Sequence, residues 1–165
     1  MLIPLFLFEK ELLSRPVFYV SAYFDQNRDA YVEKLRAIGR RWGAWNDWVE
    51  FFLTAVTRQA EANTNSARQT MSLYERLKNE VIAFTNSRFA VPVLDVLFEK
   101  PMLTPTEFEN RSGLPSKPML MRLLEKLKDA KILSVIREGS GRRPQILLFN
   151  ELFELCEGTA NQGSD

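Results

Sequence analysis

Apolar residues along the chain change their spacing several times, and each change predicts an element. The first residues, Leu2-Ile3-Pro4-Leu5-Phe6-Leu7-Phe8, are almost continuously apolar. Residues 2–13 read as a short buried helix ending near Ser14, with a break set by Pro16, which disfavours helical backbone at the residue before it. Ser21 reads as the N-cap of a helix over 22–40, with Tyr23, Phe24, Tyr31, Leu35 and Ile38 on its apolar side. Gly43 ends that element or sits in a turn. No Pro or Gly then occurs from Trp45 to Phe89. Trp45, Trp48, Phe52, Ala55 and Val56 keep helical spacing, as do Leu73, Leu77, Val81 and Phe84. The weak helix formers Asn63-Thr64-Asn65-Ser66 lie between them. One continuous or kinked helix is the favoured reading over two antiparallel ones, because no Gly or Pro marks a turn.

From Ala90 the pattern changes. Leu94, Leu97 and Phe98 form the inward face of a short helix. Thr104-Pro105-Thr106-Glu107 has the order of a capping box with Pro at the first helical position. The short helix it opens ends at Gly113, and Leu114-Pro115-Ser116 is a tight turn in which Ser116 caps a third helix over 117–131. Leu120, Leu123, Leu124 and Leu127 face inward there. Two strand-like runs, LSVIRE and PQILLF, flank Gly139-Ser140-Gly141-Arg142-Arg143 and predict a hairpin. A last helix over 150–157 and a frayed polar tail complete the chain. The predicted fold is mainly α. A helical segment with a long helix, 1–89, precedes a winged helix-turn-helix domain with a small β-hairpin, 90–157, and a disordered tail, 158–165.

Composition narrows the chemistry. The 165 residues include no histidine and one cysteine, Cys156. Without histidine the commonest general base and the His-activated nucleophiles are missing, as are His-containing zinc sites. No catalytic, cofactor or metal-binding residue is predicted. A single cysteine forms no internal disulfide and fits a reducing cytoplasm. The apolar start is too short to span a membrane and lacks the flanks of a signal peptide. It reads instead as a surface that needs a protein partner or a second copy, through Leu2, Ile3, Leu5, Phe6 and Phe8.

With a net charge of +1, any basic surface must be local. Between Ser116 and Arg143, Lys117, Arg122, Lys126, Lys128, Lys131, Arg137, Arg142 and Arg143 outnumber Glu125, Asp129 and Glu138. In a winged helix the third helix enters a major groove about 12 Å wide and the hairpin lies along the backbone. The candidate DNA contacts are Ser116, Lys117, Met121, Arg122, Lys126, Arg137, Arg142 and Arg143, and they fit a role in transcription regulation. Solubility alone is the competing reading of those charges. Met121 is expected to face outward with Lys117, Arg122 and Glu125. Together with Met119 it suits an adaptable apolar contact with a protein better than it suits base reading.

A resemblance adds to this. Leu2-Ile3-Pro4-Leu5, Tyr19-Val20-Ser21-Ala22-Tyr23-Phe24, Asn27-Arg28-Asp29 with Tyr31, and Gly43, Trp45, Trp48, Phe51, Phe52 and Leu53 resemble the segment after the catalytic motif of Fic-family adenylyl transferases. Ala44 stands where that family has an acidic residue. One branch of the family also ends in a winged helix. The resemblance implies that the HPFxDGNGRxxR-type motif, with its histidine base, its acidic magnesium-positioning residue and its phosphate-binding residues, would precede Met1. On this reading the chain as given does not transfer AMP to proteins. Its counterpart reading is the truncated regulatory or protein-interaction end of a longer or split Fic enzyme. Gly139-Ser140-Gly141 opens no helix and does not replace the nucleotide loop.

Three lesser features have ordinary readings. Trp42, Trp45 and Trp48 favour core packing over a ligand cage. Asp25, Asp29 and Glu33 share a helix face with Arg28 and Arg36 beside them, and read as solvated. Cys156 reads as a packing residue.

Overall fold

The computed structural model describes residues 3–13, 20–108, 111–141 and 143–161. The chain divides into two compact units, Met1–Ser66 with Thr159–Asp165, and Ala67–Gly158. The division falls inside a helix.

The first unit holds α1 (Ile3–Glu9), α2 (Ser21–Gln26), α3 (Arg28–Ile38) and the N-terminal half of α4 (Ala44–Thr85). The single helix expected over 22–40 is two, because the backbone leaves helical geometry at Asn27 (φ −111°, ψ 39°). The Asn27 side-chain amide donates to the Tyr23 carbonyl at 2.9 Å, a local bond that competes with helix continuation. Ser21 is the first helical residue and Val20 precedes it, with no side-chain cap. Phe24 is the hub of the packing. Its ring lies 4.9 Å from Tyr31, 6.0 Å from Phe51, 6.3 Å from Phe52 and 6.4 Å from Trp48, within aromatic pairing range. The inward face of α4 is therefore Trp48, Phe51, Phe52 and the fully buried Ala55.

Several apolar residues expected inside this unit lie outside. Trp42 is fully exposed and Trp45 is 63% exposed, so core packing holds only for Trp48. Gly43, with φ +83°, turns the chain into α4 in a conformation that suits glycine, and leaves Trp42 on the solvent side of that turn. Leu35 also faces solvent. So do Leu5, Phe6, Phe8 and Leu12, and α1 is not the buried helix that its composition predicts.

α4 runs unbroken through Asn63-Thr64-Asn65-Ser66. Thr64 Oγ1 donates to the Ala60 carbonyl at 2.8 Å, and the Gln59 amide donates to Asn63 Oδ1 at 3.0 Å. These bonds occupy polar groups that would otherwise draw the backbone into a turn.

The second unit contains the C-terminal half of α4, α5 (Ala90–Glu99), β1 (Met102–Leu103), a 3-10 turn (Pro105–Phe108), α6 (Lys117–Asp129), β2 (Leu133–Arg137), β3 (Ile146–Phe149) and most of α7 (Asn150–Asn161). The strands form an antiparallel sheet in the order β1-β3-β2. Leu133 pairs with Phe149 and Val135 with Leu147, and a bulge between Val135 and Arg137 re-aims the outer part of the hairpin. β1 pairs Met102 with Leu148; at two residues it is too short to leave a period in the sequence. The core runs through Leu73, Leu77, Val81, Leu94, Leu97, Phe108, Leu124, Leu127, Leu147 and Phe149. Phe98 bridges it edge-on, 5.1 Å from both Tyr74 and Phe149. Phe84, expected inward, is exposed, and Thr85 is buried in the last turn of α4. Cys156 is exposed on α7 and does not pack in the core. α7 continues past 157 to Asn161, into the expected tail. Among the described residues no helix is long and apolar enough to cross a membrane.

Candidate nucleic-acid interface

The surface with most of the predicted site residues is built by α6 and the β2–β3 hairpin. α6 forms because its apolar residues recur at helical spacing. Leu120, Leu123, Leu124 and Leu127 are all buried, which turns the remaining positions outward. The chain enters it through Ser116, whose carbonyl accepts the Leu120 N–H at 2.9 Å. Ser116 occupies the N-cap position, but its hydroxyl makes no capping bond. α6 ends in a Schellman arrangement. The Ile132 N–H reaches the Leu127 carbonyl at 3.0 Å, and the Lys131 N–H reaches that of Lys128 at 2.8 Å. Lys131 takes the left-handed position, at φ 59°, that glycine usually fills.

Asn150 fastens β2 to the start of α7. Its amide donates to the Lys131 carbonyl at 2.9 Å, its Oδ1 accepts the Ser134 hydroxyl at 2.6 Å, and its N–H reaches the Ile132 carbonyl at 3.2 Å. At the hairpin tip Ser140 and Arg143 exchange two main-chain bonds of 3.0 Å, with Gly141 at φ 57° between them. Below the tip the Gln145 amide donates to Glu138 at 3.0 Å.

The predicted contact residues separate on this frame. Ser116, Lys117, Arg122, Arg137 and Arg143 are exposed. Arg122, Arg137 and Arg143 form no ion pair with another described residue. Lys126, although exposed, is engaged: its ammonium donates to the Thr85 carbonyl at 3.2 Å, at the C-terminus of α4 where the helix dipole favours a cation. Lys128 pairs with Glu125 at 2.7 Å. Met121 does not face outward; it is half-buried against the core, because it follows Leu120 at the edge of the buried stripe. Met119 remains at the surface, 39% exposed. Arg142 and Leu2 lie outside the described residues, and Ile3 is the first residue of α1.

The neighbouring charges brace the fold. Arg111 grips Glu99 with two guanidinium nitrogens, one of them at 2.7 Å, and its Nε donates to the Glu107 carbonyl at 3.1 Å. Glu107 accepts the Thr104 N–H at 2.6 Å, which is the return half of the predicted capping box, and pairs with Lys100. The Thr104 hydroxyl bonds Thr106 Oγ1 at 2.8 Å, so the other half of the box does not form. Partial burial pushes the Glu107 carboxyl up, but hydrogen bonds from Lys100 and the Thr104 N–H, with the charges of Lys100 and Arg111, hold it below the usual range. Tyr74 donates to Asp95 at 2.6 Å, and this bond, with burial and the Asp95 charge, pushes the phenol up to about 12.

Sequence reasoning found α6 and the hairpin. It missed the Lys126 cap, which joins residues 41 apart and leaves no local signal. Among the described residues no group of three carboxylate or thiol side chains is placed to hold a metal ion. The sequence matches no protein-family model.

Proposed function

We propose that residues 90–157 are a winged helix-turn-helix domain that binds DNA, with α6 in the major groove and the hairpin along the phosphate backbone. The observation that carries this reading is the set of exposed cations Arg122, Arg137 and Arg143, on α6 and the hairpin, without ion pairs among the described residues. Exposed cations on a helix and a projecting ribbon are suited to phosphate contacts. The order helix, β1, 3-10 turn, α6 and hairpin supports the winged arrangement. The resemblance of residues 2–53 to the segment after a Fic catalytic motif supports a non-catalytic Fic C-terminal module, with a role in transcription regulation. The absence of histidine supports a module that does not itself transfer AMP. Such a module works in the cytoplasm.

The test is anisotropy of a labelled duplex at two salt concentrations. Binding is expected with a Kd of roughly 10⁻⁴–10⁻⁶ M on non-specific DNA, weakening as salt rises. Replacing Arg122 and Arg143 by alanine lowers the salt slope by about two. No binding at low salt, or a slope unchanged by the double variant, refutes the proposal.

The exposed apolar residues of α1, Leu5, Phe6 and Phe8, favour a second reading. In it the chain is the protein-interaction end of a longer or split Fic enzyme. Met119 adds an apolar contact on α6. Association with an upstream Fic portion, lost on Phe6→Asp with DNA binding intact, is the outcome that reading requires.

A further inference from the structure

The outward face of α4 in the first unit has no role in the readings above. It consists of two adjacent ridges at i, i+4 spacing. One carries Trp45, Val49 and Leu53, which are 63%, 47% and 57% exposed. The other carries Glu50, Thr54 and Arg58, all exposed. Thr54 Oγ1 donates to the Glu50 carbonyl at 2.8 Å, and Thr57 Oγ1 to the Leu53 carbonyl at 3.0 Å. Both hydroxyls are thus turned back onto the helix, and the threonines present methyl groups. The face is more apolar than its sequence.

We propose that a second copy of this chain covers this face, with the two α4 helices antiparallel about a two-fold axis beside Thr54. The charges choose the occupant and its direction. Glu50 and Arg58 lie one turn to either side of Thr54. In an antiparallel pair each Glu50 meets the Arg58 of the other copy, twice by symmetry. In a parallel pair Glu50 meets Glu50 and Arg58 meets Arg58, which is repulsive. Ridges at i, i+4 spacing interlock at about −50°, a crossing at which side chains one turn from the axis still meet. At the crossing Leu53 packs against its own symmetry copy, flanked by Val49 and the Thr57 methyl. Among the described residues of one chain, the ion pair of Arg58 is an exposed contact with Glu61 at 3.5 Å, which releases easily.

Sedimentation velocity on the full chain, from micromolar concentration upward, tests this. A concentration-dependent dimer is expected, and Leu53→Asp makes it monomeric. Glu50→Arg and Arg58→Glu each weaken it about tenfold or more, since each turns two attractive pairs repulsive. Mixing these two variants restores dimers, because the arginine introduced in one chain then meets the glutamate introduced in the other. All three positions are exposed, so unchanged helical circular dichroism and melting are expected and show that each variant is folded. A monomer at every concentration overturns the proposal. So does a dimer indifferent to both charge reversals, or one lost on Phe6→Asp but kept on Leu53→Asp. DNA binding is read separately, and its failure leaves this result unaffected.

Discussion

Single residues in this protein hold backbone conformations that their type does not favour, and neighbouring bonds hold them there. Lys131 is the clearest case. A left-handed conformation costs a residue with a Cβ about 1–2 kcal/mol, yet the Schellman bonds at the end of α6 require it at this position. Asn150 then secures that conformation by bonding the Lys131 carbonyl. Lys131→Gly removes the Cβ clash but adds freedom to the unfolded chain. The net expectation is a gain of about 0.5–1 kcal/mol, seen as a higher urea midpoint with an unchanged slope. Neither the position nor the strain is visible from a lysine in the sequence, since helix-ending glycine is the usual signal and Gly is absent there.

At the scale of elements, the 3-10 turn at Pro105–Phe108 depends on Glu107. Its carboxylate closes the turn onto the Thr104 N–H and pairs with Lys100. The carboxyl is held below its ordinary value, so the contribution is fully present above about pH 4.3, the unfolded glutamate value. It is lost as pH falls through the lower folded value. Glu107→Gln is therefore expected to lower the melting temperature at neutral pH and to flatten its fall below about pH 4. Thermal melts across pH 2–7 (roughly the window set by the carboxylate range) check both features. The turn was legible as a capping box, though only the glutamate half of the box forms, and a 3-10 turn takes the place of an α-helix.

Across the whole molecule the two units are built differently. Residues 67–158 bury a contiguous aliphatic core, with Leu77, Leu94, Leu97 and Phe149 fully enclosed. The described residues of 1–66 bury few side chains completely and rest on partly exposed aromatic rings around Phe24. Local opening is cheapest where few apolar contacts are enclosed. Amide hydrogen exchange is expected to be slowest at residues 73–81, 93–97 and 120–127, and fastest over 21–38. Equal protection in the two units would contradict this account of their packing. The same contrast bears on partners: the first unit presents apolar surface, and the second presents arginines.

What the sequence determined by itself was the long helix, the helix over 117–131 and the hairpin. Leucines at 3/4 spacing in 120–127 and the uninterrupted stretch after Trp45 needed only local geometry to be read. Which of two apolar residues on neighbouring ridges goes inside was decided by the tertiary structure. Trp45 and Trp48 are three residues apart and chemically alike, but only Trp48 meets the Phe24 and Tyr31 rings. Met121 is half-buried against the core, and Lys126, still exposed, is tied to the Thr85 carbonyl 41 residues away. Periodicity records how a helix repeats, whereas burial depends on which other element arrives to cover it.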